Sequence, residues 1–272
     1  MHWQTTRYIV DLTRPRVMGI VNVTPDSFSD GGRLGAEAIR HCERLVAEGA
    51  DLLDIGGEST RPGSKAVSVD EELGRVLPVL DAALTLGVPV SIDTTKAEVM
   101  RAVLGRGADI VNDINALQTA GTLDAVAAHP NCGVCLMHMR GEPATMQERP
   151  LYGDVVTEVR EFLDGRLQAL QARGIAPERV VVDPGIGFGK SVEHNLELLR
   201  RQRDLLALGR PLLVGWSRKS TLGAITGRDV SQRLPASLAA ALAAVHGGAR
   251  VLRVHDVAAT VDALKVWAAA RG

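Results

Sequence analysis

Polar and charged side chains stand at the ends of short apolar runs along most of this sequence. They are two carboxylates, two amides, two cations and an imidazole: Asn22, Asp93, Asn112, Asp183, Lys219, Arg253 and His255. Carboxylates accept N–H donors and an amide also donates, so the set suits a flat heterocycle with amino and lactam edges, such as a pterin or guanine. A metal-dependent hydrolase would use similar residues, but its usual His-x-His and Glu-x-x-His ligand spacings do not occur here.

Arg253 and His255 form a second kind of pair. They lie two residues apart at the end of one apolar run, so they share a face of the predicted strand. A guanidinium beside an imidazole can bind an anion, and the loops after the last two strands are the usual phosphate position in a barrel of eight strands. We therefore expect an anion site at this end of the run.

Eight apolar runs rich in Val and Ile must position these side chains. They are Val17–Asn22, Asp51–Gly56, Val88–Asp93, Asp109–Asn112, Gly133–His138, Val180–Asp183, Leu212–Ser217 and Arg250–His255. Near-continuous apolar runs of this length are typical of parallel strands that are buried on both faces. Windows with 3.6-residue periodicity, such as 36–48 and 155–173, separate most of them. We predict an α/β fold, a (β/α)₈ TIM barrel; an open doubly wound sheet remains the alternative, because strand order cannot be read from a sequence.

The length and composition agree with one domain. The chain has 272 residues, 46% of them hydrophobic, and shows no break in composition, so we predict a single barrel domain over 1–272. Residues 1–16 precede the first run as an extension or short strand, and 8–12 could be an additional short strand or a plug across the lower end of the barrel. Two long polar loops, 24–34 and 59–68, could close over its mouth.

Charge, hydropathy and cysteine content exclude several classes of protein. A formal charge of −1 provides no general attraction for nucleic acid or an anionic membrane. No segment is apolar and long enough to span a bilayer or to act as a signal peptide, which predicts the cytoplasm. The three cysteines include one Cys132-x-x-Cys135 pair without a second pair, so neither a disulfide framework nor a metal site is expected.

Glycines mark two further features. Gly49, Gly107 and Gly248 each stand where a predicted helix ends and a strand begins, which is typical of a left-handed helix cap. Residues 185–191 resemble a phosphate-binding P-loop, but three residues separate the outer glycines where that motif needs four. We interpret this stretch as a glycine turn that lets the backbone approach a ligand beside Asp183.

The chain resembles the dihydropteroate synthase family in eight segments, which occur in the family's order. They lie at 18–32, 54–63, 91–94, 112–114, 137–143, 182–190, 215–220 and 253–256. The resemblance implies a (β/α)₈ barrel that condenses (7,8-dihydropterin-6-yl)methyl diphosphate with 4-aminobenzoate, which yields 7,8-dihydropteroate and pyrophosphate. It also implies a homodimer.

The resemblance assigns a role to individual residues. The pterin would be held by Asp93, Asn112, Asp183 and Lys219, with Met137 and Phe188 lining the pocket. Oxygen atoms of the diphosphate would contact Thr60, Arg253 and His255, and Asn22 would bind the Mg²⁺ that accompanies them. The 4-aminobenzoate subsite would contain Phe28, Arg61, Pro62 and Ser220. The groups expected to act in catalysis are Asp93, Lys219, Arg253, His255 and, once the first loop closes, Asp30.

Two other functions share the pterin pocket. A pterin-binding methyltransferase domain would transfer a methyl group from methyltetrahydrofolate, and a non-catalytic pterin carrier would bind without turnover. The methyltransferase should not need Lys219, the Arg253-x-His255 pair or the loop at 59–63, all of which are present. A carrier would be expected to lose Asn22 or Arg61, and both are intact.

Overall fold

The computed structural model describes residues 1–24, 34–59, 64, 66–142, 145–146 and 150–270. Within them, eight parallel strands close into a barrel with the order β10-β3-β4-β5-β6-β7-β8-β9. These strands are β3 (Arg16–Asn22), β4 (Leu52–Gly56), β5 (Val90–Asp93), β6 (Ile110–Asp113), β7 (Gly133–Met137), β8 (Val180–Asp183), β9 (Leu212–Val214) and β10 (Ala249–Val254). The barrel predicted from the eight apolar runs is confirmed, and the open sheet is wrong.

Helices cover the outside of the barrel and alternate with its strands. They are α1 (Leu34–Ala47), α2 (Val69–Ala83), α3 (Ala97–Gly105), α4 (Thr122–Ala127), α5 (Val155–Ala172), α6 (Val192–Arg200), α7 (Ser220–Thr226), α8 (Leu234–His246) and α9 (Val257–Ala269). Short 3₁₀ helices occur at Pro177–Arg179, Gln202–Leu208 and Val230–Gln232. The largest buried apolar cluster lies between strands and helices, and a second fills the barrel interior, which explains why the strands are apolar on both faces.

A hairpin closes the lower end of the barrel, where the strands begin. Its strands β1 (His2–Gln4) and β2 (Ile9–Asp11) pair antiparallel. Trp3 is fully buried in the cluster that fills the barrel interior, and its indole Nε1 donates to the carbonyl oxygen of Arg179 at 2.9 Å. The predicted closure of the lower end by residues 8–12 is thus confirmed. These residues contain β2, and residues 2–4 supply its partner strand, β1.

The glycines predicted to end helices have the expected conformation. Gly49, Gly107 and Gly248 have φ values of +98°, +98° and +100°. Side chains rarely adopt this left-handed region, whereas glycine enters it without a steric penalty. These three positions therefore turn the chain from a helix into the next strand.

The last two strands end earlier than predicted. β9 ends at Val214 rather than Ser217, and β10 ends at Val254, one residue before His255. The chain turns sharply after β9, where Arg218 has a φ of +60°, a conformation that no strand contains. Ser217 and Lys219 consequently extend from a turn above the sheet instead of from the strand itself.

Trp3→Ala should lower the free energy of unfolding by about 3–5 kcal/mol, because it leaves a cavity in the barrel interior and removes the bond to Arg179. Denaturant unfolding measures the change. Ile9→Ala, on the second strand of the same hairpin but 68% exposed, is the matched control and should change stability by less than about 0.5 kcal/mol. Equal losses for the two variants would show that the hairpin does not seal the interior.

Candidate active site at the mouth of the barrel

Arg253 joins the polar side chains at the carboxyl ends of the strands. Its Nε donates to Oδ2 of Asp54 at 2.6 Å, and its Nη2 donates to Oδ2 of Asp93 at 2.9 Å. Asn112 donates from Nδ2 to the same oxygen of Asp54 at 3.2 Å. The cluster thus combines side chains from β10, β4, β5 and β6, which only a closed barrel brings together.

Asp54 belongs to this cluster, although the strand-end pattern does not predict it. Its side chain is fully buried and accepts hydrogen bonds from both Arg253 and Asn112. The predicted site residues stand at strand ends, whereas Asp54 lies in the interior of β4, two residues before its end. A carboxylate inside an otherwise apolar strand was the available signal, because such a group is rarely buried without a partner.

The carboxyl group of Asp93 holds its proton unusually tightly. Burial raises its pKa to about 7; the charge of Arg253 acts in the opposite direction, and the nearby Asp54 adds to the rise. In register, Asp93 pairs with Asn112 on β6, so a carboxyl group and an amide stand side by side at the mouth. This pair can present both donors and acceptors to a ligand at neutral pH.

Asp183 and Lys219 both lie against the glycine turn that follows β8. The backbone N–H of Gly185 donates to Oδ1 of Asp183 at 2.7 Å, which fixes the carboxylate. Lys219 Nζ lies 4.3 Å from the centroid of the Phe188 ring. Burial lowers the pKa of Lys219 to about 8; the charge of Arg253 lowers it further, and the carboxylate of Asp183 opposes both. Met137 pairs in register with Asp183 and is almost fully buried.

His255 is a neutral imidazole in this environment. Burial lowers its pKa to about 3, and the neighbouring charges of Arg253 and Arg218 add to the effect. The hydroxyl oxygen of Ser217 accepts from the backbone N–H of His255 at 3.2 Å and lies 3.0 Å from its Nδ1. That hydroxyl can therefore donate to Nδ1, which leaves the imidazole proton on Nε2.

Asn22 ends β3 at the same mouth. Its carboxamide is half-buried and makes no hydrogen bond to another described residue. The described residues contain no group of three His, Cys, Asp or Glu side chains that could enclose a metal ion. Mg²⁺ often keeps several waters and binds through one or two protein groups together with substrate phosphates, so a single amide oxygen fits a metal that arrives with a diphosphate.

Several predicted site residues lie outside the described part of the chain. They are Phe28, Asp30, Thr60, Arg61 and Pro62. Glu58, shortly before residues 60–63, forms a salt bridge with Lys96. Lys96 Nζ also contacts Glu72 of α2, whose side chain is fully buried, at 2.5 Å. Ser220, the remaining predicted contact for 4-aminobenzoate, is the first residue of α7 and directly follows Lys219.

Comparisons with known proteins agree on one family. The family described as pterin binding enzyme matches residues 18–255. Dihydropteroate synthase of Neisseria meningitidis serogroup B is 50% identical over 275 residues, which cover 98% of this chain and 96% of that protein. The Escherichia coli enzyme of the same name is 48% identical over 260 residues, with 94% and 92% covered.

Solved structures give the same result. Dihydropteroate synthase from Xanthomonas albilineans with 4-aminobenzoic acid superposes with a TM-score of 0.94 at 51% identity, covering 100% of this chain and 99% of that one. The Burkholderia cenocepacia enzyme complexed with 7,8-dihydropteroate gives a TM-score of 0.91 at 53% identity, with 99% and 96% covered. The similarity therefore includes the whole barrel and its mouth.

The raised pKa of Asp93 predicts a pH-dependent contribution to stability. The folded protein binds this proton more tightly than the unfolded chain, whose aspartates titrate near about 3.9. The stabilisation is complete below that pH and is lost as the pH rises through about 7. In thermal unfolding, the Tm of the wild type minus that of Asp93→Asn should therefore fall between pH 4 and pH 7.

The control for this measurement is Asp81→Asn, a change at an aspartate on α2 whose side chain is 53% exposed. It should alter stability by less than about 0.5 kcal/mol throughout the range. A Tm difference for Asp93→Asn that stays constant, or that grows with pH, would contradict the raised pKa.

Proposed function

This chain belongs to the dihydropteroate synthase family, and we propose that the cluster around Arg253 is the site where it condenses (7,8-dihydropterin-6-yl)methyl diphosphate with 4-aminobenzoate. The products are 7,8-dihydropteroate and pyrophosphate, which makes the protein a transferase of folate biosynthesis. The observation that carries this assignment is the Arg253 guanidinium, held between Asp54 and Asp93 at the barrel mouth. It places a fixed positive charge beside the polar groups suited to a pterin.

The pterin ring would lie among Asp93, Asn112, Asp183 and Lys219. The carboxyl groups of Asp93 and Asp183 can accept from the amino and ring N–H groups, while Asn112 and Lys219 can donate to ring nitrogen and oxygen atoms. Phe188 and Met137 would line the pocket. Because Asp93 has a pKa of about 7 and Lys219 one of about 8, small changes in solvation on binding alter their proton occupancy.

The diphosphate would lie against Arg253 and His255, with Thr60 as a further contact. In the reaction the bond between the methylene carbon and the diphosphate oxygen breaks, and pyrophosphate leaves with the electron pair. Arg253 stabilises the developing negative charge, and the neutral His255 donates a hydrogen bond from Nε2. The electron-rich dihydropterin stabilises the cation that forms at the methylene, so the path is dissociative.

The arylamine completes the reaction. Its nitrogen forms the new bond to the methylene carbon and then loses a proton to solvent, so no activated protein nucleophile is needed. Ser220 lies next to Lys219 and would contribute to the 4-aminobenzoate subsite. Phe28, Arg61 and Pro62 would supply its other contacts, with Asp30 entering from the first loop.

We further propose that Asn22 holds the Mg²⁺ that accompanies the diphosphate. Its carboxamide at the end of β3, which has no hydrogen-bond partner among the described residues, supports this assignment. When bound, the metal would neutralise part of the diphosphate charge and so make pyrophosphate a better leaving group.

The other two functions have less support. A methyltransferase domain would have no use for a guanidinium and an imidazole arranged beside the pterin residues, and the relatives compared above carry the name of the synthase. A non-catalytic carrier would not be expected to keep the Arg253 network intact. Incubation with methyltetrahydrofolate and a corrinoid acceptor would detect the first alternative.

A homodimer and a cytoplasmic location complete the proposal. Exposed apolar side chains on and between the last three helices, namely Ile225, Val230, Leu234 and Val266, support an interface there. Sedimentation equilibrium should give twice the mass of the chain. Among the described residues no helix is both long and apolar enough to cross a membrane, and all three cysteines are free.

The function is tested with purified protein, Mg²⁺, the pterin diphosphate and 4-aminobenzoate. We expect 7,8-dihydropteroate and one equivalent of pyrophosphate, measured by chromatography and by a coupled phosphate assay. Folded protein that forms neither product would refute the proposed function, and pterin binding without turnover would favour the carrier.

Arg253→Lys should reduce kcat/KM for the pterin diphosphate by about a hundredfold or more, because an ammonium cannot contact both carboxylates and the diphosphate as a guanidinium does. Steady-state kinetics measures the loss. The matched control is Arg250→Lys, the same change on the same strand, where Nη1 donates to the carbonyl oxygen of Thr13 at the lower end. It should stay within about twofold of the wild type; equal losses would contradict the role of Arg253.

Asn22→Ala should raise the Mg²⁺ concentration needed for half-maximal activity by about tenfold, because the metal loses one protein ligand. Titration of activity with Mg²⁺ after removal of metal by a chelator measures this shift. An unchanged midpoint would show that Asn22 does not bind the metal.

A further inference from the structure

Lys190 is a buried lysine without an assigned role. Its side chain is 2% exposed, and it follows directly after the glycine turn at 185–189. Nζ donates to the carbonyl oxygens of Gly185 and Phe188, both at 3.0 Å, and to that of His138 at 3.2 Å. One side-chain nitrogen therefore joins the first and fourth residues of the glycine turn to the residue that follows β7.

The ring of His138 is part of the same contact. Its Nδ1 lies 2.9 Å from Nζ of Lys190. Burial lowers the pKa of His138 to about 2, and the charge of Lys190 acts in the same direction, so the imidazole is neutral and its Nδ1 accepts. Burial lowers the pKa of Lys190 well below its usual value, and the charge of Asp183 opposes that shift. All four groups around Nζ are acceptors, so each N–H of the Lys190 side chain has a partner whether or not it carries the third proton.

The turn that Lys190 contacts packs directly against the backbone of the segment that follows β7. Gly185, Gly187 and Gly189 all have positive φ values, between +59° and +82°. A side chain at Gly185 would collide with the carbonyl oxygen of His138, and one at Gly189 with that of Arg140. Only a bare backbone can approach so closely, and the carbonyl groups it buries need a donor.

This turn positions two groups of the pterin pocket. Its first N–H, that of Gly185, fixes the Asp183 carboxylate, and its fourth residue is Phe188, whose ring faces Lys219. A shift of the turn would therefore move both Asp183, which would bind the edge of the pterin, and Phe188, which would line the pocket. Neither Arg253 nor His255 contacts the turn through any hydrogen bond in the described residues.

We propose that Lys190 is a positioning residue for the pterin subsite: by binding the carbonyl oxygens of the turn at 185–189, it holds Asp183 and Phe188 in place. The proposal rests on the proposed function, because it assumes that these two residues contact the pterin. The proposal predicts different effects on the two substrates, since Lys190 contacts the turn that carries pterin residues and none of the residues proposed for 4-aminobenzoate among those described.

Lys190→Met tests the proposal, because methionine has a similar length but cannot donate. We expect KM for the pterin diphosphate, and Kd for 6-hydroxymethylpterin by calorimetry, to rise by about tenfold or more. KM for 4-aminobenzoate, measured at saturating pterin diphosphate, should stay within about twofold. Lys190→Gln keeps two donors without the charge and should lie between the wild type and Lys190→Met.

Arg179→Met is the matched control for loss of a buried cation. Arg179 is 5% exposed and donates to the carbonyl oxygens of Val126, Pro130 and Cys132 at the lower end of the barrel. This variant should lower Tm but leave both KM values and the pterin Kd within about twofold of the wild type.

The proposal is overturned if Lys190→Met retains the wild-type pterin Kd, or if both KM values rise equally. If Lys190→Met does not fold, Lys190→Gln decides by the same comparison. Equal effects of Gln and Met would also contradict it, because they would indicate that only the charge matters. A wild type that binds the pterin but makes no dihydropteroate would refute the proposed function and leave the binding test valid.

Discussion

The site depends on one guanidinium that is shared by two carboxylates inside the barrel. Arg253 on β10 contacts Asp54 on β4 and Asp93 on β5, residues 199 and 160 positions away in the chain. In an open sheet that begins with β3, the last strand would lie at the opposite edge. Closure pairs β10 with β3, so only one strand separates β10 from β4. The contact of Arg253 with Asp54 and Asp93 therefore requires a closed barrel.

Burial strengthens the contact between Arg253 and the two carboxyl groups, and it also shifts the pKa values of the groups around them. Asp54 is fully buried, and a carboxyl group in that position needs a charged partner and a further hydrogen bond, which Arg253 and Asn112 provide at its Oδ2. The second carboxyl group, Asp93, shares the same cation and binds its proton up to about pH 7. Arg253 in turn lowers the pKa of both Lys219 and His255. One charged side chain thus influences the protonation of several groups proposed to contact the substrate.

Much of this arrangement could be predicted from the sequence. The eight apolar runs and the glycines between helix and strand have local signals, and the structure confirms the elements they predict. For Asp54 the local signal is a single carboxylate inside an apolar strand, and its partners Arg253 and Asn112, which lie on other strands, cannot be read from the sequence. The predicted end of β9 is wrong, since the turn at Arg218 depends on a left-handed conformation that an arginine in the sequence does not indicate. Lys190 belongs to a stretch that resembles a P-loop, and its role depends on partners at two different strand ends.

From the contact between Asp54 and Arg253 we propose, as the central claim, that Asp54 acts in the reaction by holding Arg253 in place. The most direct test is kcat/KM for the pterin diphosphate in Asp54→Asn, Arg253→Met and the double variant. If Asp54 works through Arg253, the double variant should match Arg253→Met alone within about twofold, because the residue that Asp54 positions is already absent. If the two losses multiply instead, Asp54 has a role independent of Arg253, and the central claim is wrong.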